Sequence, residues 1–246
     1  MALREEFEAS GQWLFRWRGY LPLLIIILIL LGLPGYRPLA GNPTADRVWQ
    51  VGCLLVAFFG QLIRAFVVGH APRNTSGRNA TAQRADSLNT TGAYSLVRHP
   101  LYVGNFFIYL GVVSFTHSPA LIAISLLLYA LHYERIMFAE EAYLRGKFGE
   151  PFEQWAARTP AVFPAFSHWQ PADLPFSLSN VLRREYNNFF GIVFSLFLIK
   201  SVGAYFARGS FLPTPIWCGF FAAGFLVWIV LRTVKRNTEW LRVEGR

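Results

Sequence analysis

Apolar runs long enough to cross a lipid bilayer recur along this chain, and that feature removes most folds from consideration. A helix needs roughly 20 residues to traverse about 30 Å of hydrocarbon, where the backbone must satisfy its own hydrogen bonds. Candidate spans fall at about 20–34, 48–69, 101–116, 119–138, 186–206 and 211–231. The first and third are short, and read as spans extended by their flanks or packed as partial crossings. The expected fold class is therefore all-α: a polytopic integral membrane helical bundle of about six transmembrane helices. Composition agrees, with 54% hydrophobic and only 15% charged residues. A formal charge of +9 then reflects basic loops beside a membrane, not a nucleic-acid partner.

Orientation follows from where the cations fall. One side receives Arg16, Arg18, Arg98, Arg135, Arg145, Arg158, Arg183 and the basic tail, while the other receives only Arg37, Arg47 and Arg208. Both termini and the two long loops are thus expected in the cytoplasm, and an even number of spans agrees. A bacterial inner membrane or an equivalent bilayer is the expected location. Residues 4–19 read as an interfacial helix, with Trp13, Phe15 and Trp17 among arginines. The Asn, Thr, Ser and Gly content of 70–92 suggests a flexible linker or lid, and its sequons at Asn74, Asn79 and Asn89 read as chance. Cys53 and Cys218 lie in apolar runs without metal-ligand spacing. Arg64 and Lys200, inside spans, read first as snorkelling cations.

Chemistry concentrates in 92–164, as two motifs separated by a hydrophobic hairpin. The first is Arg98-His99-Pro100-x-Tyr102-x-Gly104. Pro100 suits the first turn of a helix, where its missing N–H costs nothing. That helix start leaves free N–H groups and a positive dipole end, to which Arg98 and His99 add donors, so the corner is suited to an anion. Gly104 leaves a gap beside Tyr102 for a flat ligand or for another helix.

The second motif, "ERIMFAEEAYLRGKFGEPFEQWAARTPAVFP" over 134–164, brings Glu134, Glu140 and Glu141 to the end of the fourth span. Acids at a basic interface need a partner, and a cationic ligand group would supply one. Glu134 and Glu141 share a helix face, while Glu140 points about 100° away from Glu141. Gly149 sits where a helix C-cap is expected, and Arg158, Pro160 and Pro164 read as a rigid return. An anion-binding corner and a carboxylate pair thus bracket one hairpin. A ligand with a carboxylate, a cation and a flat ring satisfies both ends, and an amino-acid-derived nucleotide fits that description.

"TGAYSLVRHPLYVG", the hairpin, and "EEAYLRGKFGEPFEQWAARTPAVFP" together resemble the isoprenylcysteine carboxyl methyltransferase and phospholipid methyltransferase family over about 88–164. The resemblance implies an S-adenosyl-L-methionine cofactor in a cytoplasmic pocket, and a membrane lipid or lipidated acceptor entering from the bilayer. By the same resemblance His99, Tyr102 and Gly104 line the cofactor pocket, with Arg98 or the helix start near the methionine carboxylate. Glu140 and Glu141 match the family's paired acids, and Arg158 matches an arginine implicated on the substrate side. A carboxylate or phosphate acceptor needs only a cation such as Arg158 to orient it. An amine acceptor needs a general base, for which Glu134, His132 and His99 are the candidates.

The chain then divides into 1–87, with the interfacial helix, two spans and linker; 88–164, the cofactor-binding core; and 165–246, a C-terminal extension with two spans. The family pattern does not require that extension, and its "LRREYNNFFG" is either a substrate-recognition element or an interfacial anchor. Two other readings compete. Membrane sterol and steroid reductases carry a similar Arg-His-Pro-x-Tyr-x-Gly corner for a nicotinamide dinucleotide, but differ where this chain has Glu140-Glu141 and Lys147-Phe148-Gly149. A non-catalytic binding protein that keeps the fold would be expected to show a degraded pocket motif, and here the motif residues are all present.

Overall fold

The computed structural model describes residues 2–20, 26–27, 29–30, 41–72, 75, 83, 85–243 and 245. These residues are helical wherever they are regular. In chain order they form α1 (Leu3–Trp17), α2 (Pro43–His70), α3 (Ala93–Leu96), α4 (Pro100–Ser114), α5 (Pro119–Phe148), α6 (Glu150–Arg158), α7 (Leu178–Arg208) and α8 (Pro215–Asn237), with a 3₁₀ turn at Phe166–His168. Four of them, α2, α5, α7 and α8, are long and apolar enough to cross a membrane, and α4 is a shorter apolar helix. Of the six expected spans, 20–34 lies almost wholly outside the described residues.

Proline placed just after a polar residue sets several helix starts. Asn42 Oδ1 accepts from the backbone of Thr44 and Ala45, at 2.9 and 3.3 Å, ahead of Pro43. Ser118 Oγ accepts from Leu121 N at 3.3 Å ahead of Pro119. Such pairs satisfy donors that the first turn leaves unbonded, and the proline ring presets φ. At the other end, Gly149 takes φ 59° as the cap of α5, in the place that the second motif led us to expect.

Two boundaries differ from the sequence reading. The 30 residues of α5 run without a break from the hairpin turn to Phe148, so the span and the acidic helix are one rod. Its length, about 45 Å at 1.5 Å per residue, carries Glu140 and Glu141 beyond the bilayer thickness. Likewise "LRREYNN" is the first part of α7, continuous with the apolar run that follows.

The 15 residues of α4 reach only about 22 Å. This helix is held by close backbone approach to α2. A methyl group on Gly104 would come within 2.6 Å of Arg64 Cγ and 2.9 Å of the Gly60 carbonyl oxygen. One on Gly111 would come within 2.6 Å of Ala57 N and of Cys53 O. Small residues at such seams let helices meet where lipid gives no hydrophobic drive to associate. Gly104 therefore admits another helix, and the ligand gap expected beside Tyr102 is filled by α2. In turn α7 packs on α2 and α8 on α7, while α1 lies along α5, with the Arg135 guanidinium 3.5 Å above the Phe7 ring.

Candidate functional site

The two motifs meet through backbone bonds. Arg98 N donates to Pro160 O at 2.8 Å, Ala165 N to Leu96 O at 2.9 Å, and Gly92 N to Gln170 O at 3.0 Å. Trp155 Nε1 donates to Tyr94 O at 3.1 Å, and Arg98 Nη1 to Ala156 O at 2.8 Å. The proline-containing return is thus the clamp that fixes the corner before α4. Pro160 and Pro164 lack N–H groups but leave their carbonyls available, which is why such a strand can still anchor a neighbour.

At that corner His99 stands between two carboxylates. Its Nε2 is 2.9 Å from Glu141 Oε1, and its Nδ1 is 3.6 Å from Glu140 Oε2. Arg98 Nε lies 2.9 Å from the same Glu141 oxygen, and the Tyr102 hydroxyl donates to Glu140 Oε1 at 2.8 Å. The His99 and Tyr102 rings lie nearly parallel, 5.7 Å apart. Burial opposes a charge on the imidazole, but the hydrogen bonds and fields of Glu140 and Glu141 outweigh it and raise its pKa above the ordinary value. A doubly protonated ring has a donor on each nitrogen, matching an acid on each side. Burial, followed by the field of Glu140, pushes the nearby Tyr94 hydroxyl up to about 12, so it stays a neutral donor.

This cluster opens on a cavity of about 720 Å³. Arg98, His99, Tyr102 and Glu140 line it, with Tyr94, Tyr143 and Trp155 nearby at the same end. Glu141 is not on the lining; it stands behind, against Arg98 and His99. The partners that the acids were expected to find in a ligand are, for Glu141, protein groups. Arg98, also on the lining, braces the corner through Glu141 and Ala156. Glu134 and Arg158 are both exposed and absent from the lining. The structure thus brings Arg98, His99, Tyr102, Glu140 and Glu141 together and leaves the two residues expected at the acceptor outside.

Other lining residues escaped the sequence reading. Asn105, Tyr133 and Asn188 all reach the site's polar groups: Asn105 Nδ2 donates to the Tyr133 hydroxyl at 3.1 Å, and Tyr133 packs on Tyr102 at 4.6 Å between ring centres. An amide inside an apolar helix, as at Asn105, is the signal that marks such a residue. Arg64 does not snorkel. It is paired with Glu185, at 2.9 Å, with side chains 11% and 4% exposed. Among the described residues no group of three or more His, Cys, Asp or Glu side chains is placed to hold a metal ion.

Fold and site define an integral membrane protein with a cavity whose polar end lies at the end of a helical hairpin. Residues 49–151 match the model of the phospholipid methyltransferase family. Among curated proteins it is 35% identical over 159 residues to the nickel-cobalt-cadmium resistance protein NccN of Alcaligenes xylosoxydans xylosoxydans, covering 61% of this chain and 64% of that one. It is 41% identical over 87 residues to the cobalt-zinc-cadmium resistance protein CzcN of Cupriavidus metallidurans, covering 35% and 40%. It is 34% identical over 119 residues to the protein-S-isoprenylcysteine O-methyltransferase of Schizosaccharomyces pombe, covering 48% and 50%. The matches therefore span less than two thirds of these relatives' own length. No solved structure matches the chain.

Proposed function

We propose that this chain is an S-adenosyl-L-methionine-dependent methyltransferase, acting at the cytoplasmic face on a lipid or lipidated acceptor that enters from the bilayer. The observation that carries this reading is the His99–Tyr102–Glu140 cluster at the polar end of a cavity whose remainder is apolar. The family match over 49–151 and the methyltransferase among the relatives support it.

The residues present suit the cofactor. A cavity of about 720 Å³ lies within the range of roughly 300–1,000 Å³ that small-molecule sites occupy. Glu140 keeps acceptor capacity beyond its bond from Tyr102, for the amino or ribose groups of the ligand. Tyr94, Tyr143 and Trp155 offer aromatic faces for a flat ring. Gln83 Nε2, also on the lining, is buried with no hydrogen-bond partner among the described residues, and so supplies a donor. When bound, the cofactor supplies a methyl group already activated as a sulfonium. The protein's part is to orient and to exclude water. His99 and Glu141 hold the corner, Tyr102 fixes the Glu140 carboxylate, and the 155–170 segment closes the end.

The test is calorimetry on the detergent-purified chain with S-adenosylhomocysteine and, separately, NADPH. Saturable binding of the first, weakened by Glu140→Ala, is expected. Binding of NADPH alone would move the assignment to a reductase.

A further inference from the structure

A second polar group lines the same cavity, and neither sequence motif contains it. Arg64 of α2 donates from Nε and Nη2 to the two carboxylate oxygens of Glu185 in α7, at 2.9 and 3.0 Å. Its Nη1 donates to Asn105 Oδ1 of α4 at 2.7 Å. Glu185 is held further by Asn188 Nδ2 at 2.8 Å and Gln61 Nε2 at 3.3 Å. These bonds engage three of the five N–H groups that a guanidinium carries, counted among the described residues. Arg64, Asn105 and Asn188 all line the cavity. An ion pair this buried is poor evidence for stability, since desolvation offsets most of its attraction. It does lock the planar guanidinium in one orientation, on a residue that lines the cavity.

Two helix faces run away from this point together. Past Tyr102, α4 lines the cavity at 105, 108, 109 and 112; α7 lines it at 188, 191, 192 and 195, with 187 and 194 one position to the side. Both sets follow the i, i+3, i+4, i+7 spacing of a single face and extend about 10 Å. They begin level, because Arg64 bonds Asn105 while its partner Glu185 bonds Asn188. Beyond the amides the faces become mostly apolar, through Ile108, Val112 and Ile192, with the Tyr109 and Ser195 hydroxyls among them. Gly191 and Phe194 of α7 line the cavity and are exposed. The shape is a polar head with a narrow apolar tail beside the bilayer.

The candidate bases point the same way. Glu134 is exposed, His132 is absent from the lining, and His99 lies between two acids that favour its protonated form. An acceptor that arrives already ionised needs none of them.

We propose that Arg64, held by Glu185 and flanked by Asn105 and Asn188, is the subsite for the acceptor's oxyanion, a carboxylate or phosphate on an apolar chain lying between α4 and α7. This rests on the methyltransferase reading for the reaction, but not for the binding. It also makes the C-terminal extension part of the site, since Glu185 and Asn188 lie outside the family match.

The test uses the purified full chain and four single-chain probes: oleate, oleyl phosphate, oleyl alcohol and oleylamine. At least one anionic probe is expected to bind saturably, at least about ten-fold tighter than the alcohol and the amine; comparing the two anions tells carboxylate from phosphate. The double variant R64Q/E185Q removes both charges together, so neither is left buried alone. It is expected to lose that preference while still binding S-adenosylhomocysteine. If no anionic probe outbinds the alcohol and the amine, or if the folded double variant keeps the preference, the proposal is overturned. Should the variant not be recovered folded, the wild-type selectivity decides by itself. Anion selectivity without S-adenosylhomocysteine binding would sink the methyltransferase reading and leave the subsite standing; the reverse result would remove the subsite alone.

Discussion

Replacing Glu141 with glutamine tests whether a carboxylate behind the cavity wall orients the groups in front of it. Its Oε1 lies 2.9 Å from both Arg98 Nε and His99 Nε2, with the Glu141 side chain 20% exposed. A hydrogen bond to a charged group contributes about 1.5–3 kcal/mol. Two would sum to more, but the partners are not abandoned: Arg98 keeps its bond to Ala156 O, and His99 keeps Glu140. The amide also preserves shape and one acceptor oxygen. With partial exposure screening the ionic part, the expected loss is about 1–2 kcal/mol. Because His99 stacks beside Tyr102, and Tyr102 holds Glu140, part of this loss reaches the ligand. Binding of S-adenosylhomocysteine to Glu141→Gln should weaken by about 3–15-fold. Calorimetry on the purified protein measures it, with size exclusion and thermal unfolding as controls for folding. A folded variant whose Kd stays within about two-fold of wild type would refute the argument that Glu141 acts through His99.

Three further outcomes are expected. The folded pKa of His99 is raised above its ordinary 6.5, so the stabilisation it brings is fully present below that value and lost as pH rises through the folded value. The Tm difference between wild type and His99→Gln should therefore shrink as pH is raised from about 6 to 9; a constant or widening gap would contradict the charged ring. Gly104→Ala should destabilise by about 1–3 kcal/mol through overpacking against α2, read as a lower Tm, with the remaining folded protein binding cofactor normally. Arg158→Ala and Glu134→Ala, both on exposed side chains outside the cavity, should leave S-adenosylhomocysteine affinity within about two-fold. A ten-fold loss in either would show that the cavity, as lined here, is not the whole site.

The sequence by itself settled what composition and local chemistry can settle. Apolar length required membrane helices, polar–proline pairs marked where several begin, and Gly149 marked where α5 ends. The two motifs, read in order, pointed to one corner and to the acids that meet there. Side-chain partners depend on helix rotation and depth, which a one-dimensional pattern leaves open. Only the packing decided that Gly104 faces α2, that Glu141 stands behind His99 while Glu140 faces the cavity, and that Arg158 points outward. The Arg64–Glu185 pair joins residues 121 positions apart. In sequence Arg64 is a lone cation that snorkelling explains, and Glu185 is one of several charges in a segment that reads as a recognition element or an anchor. The tertiary structure places them in contact where α7 packs on α2, and a charge away from water is stabilised there by its opposite.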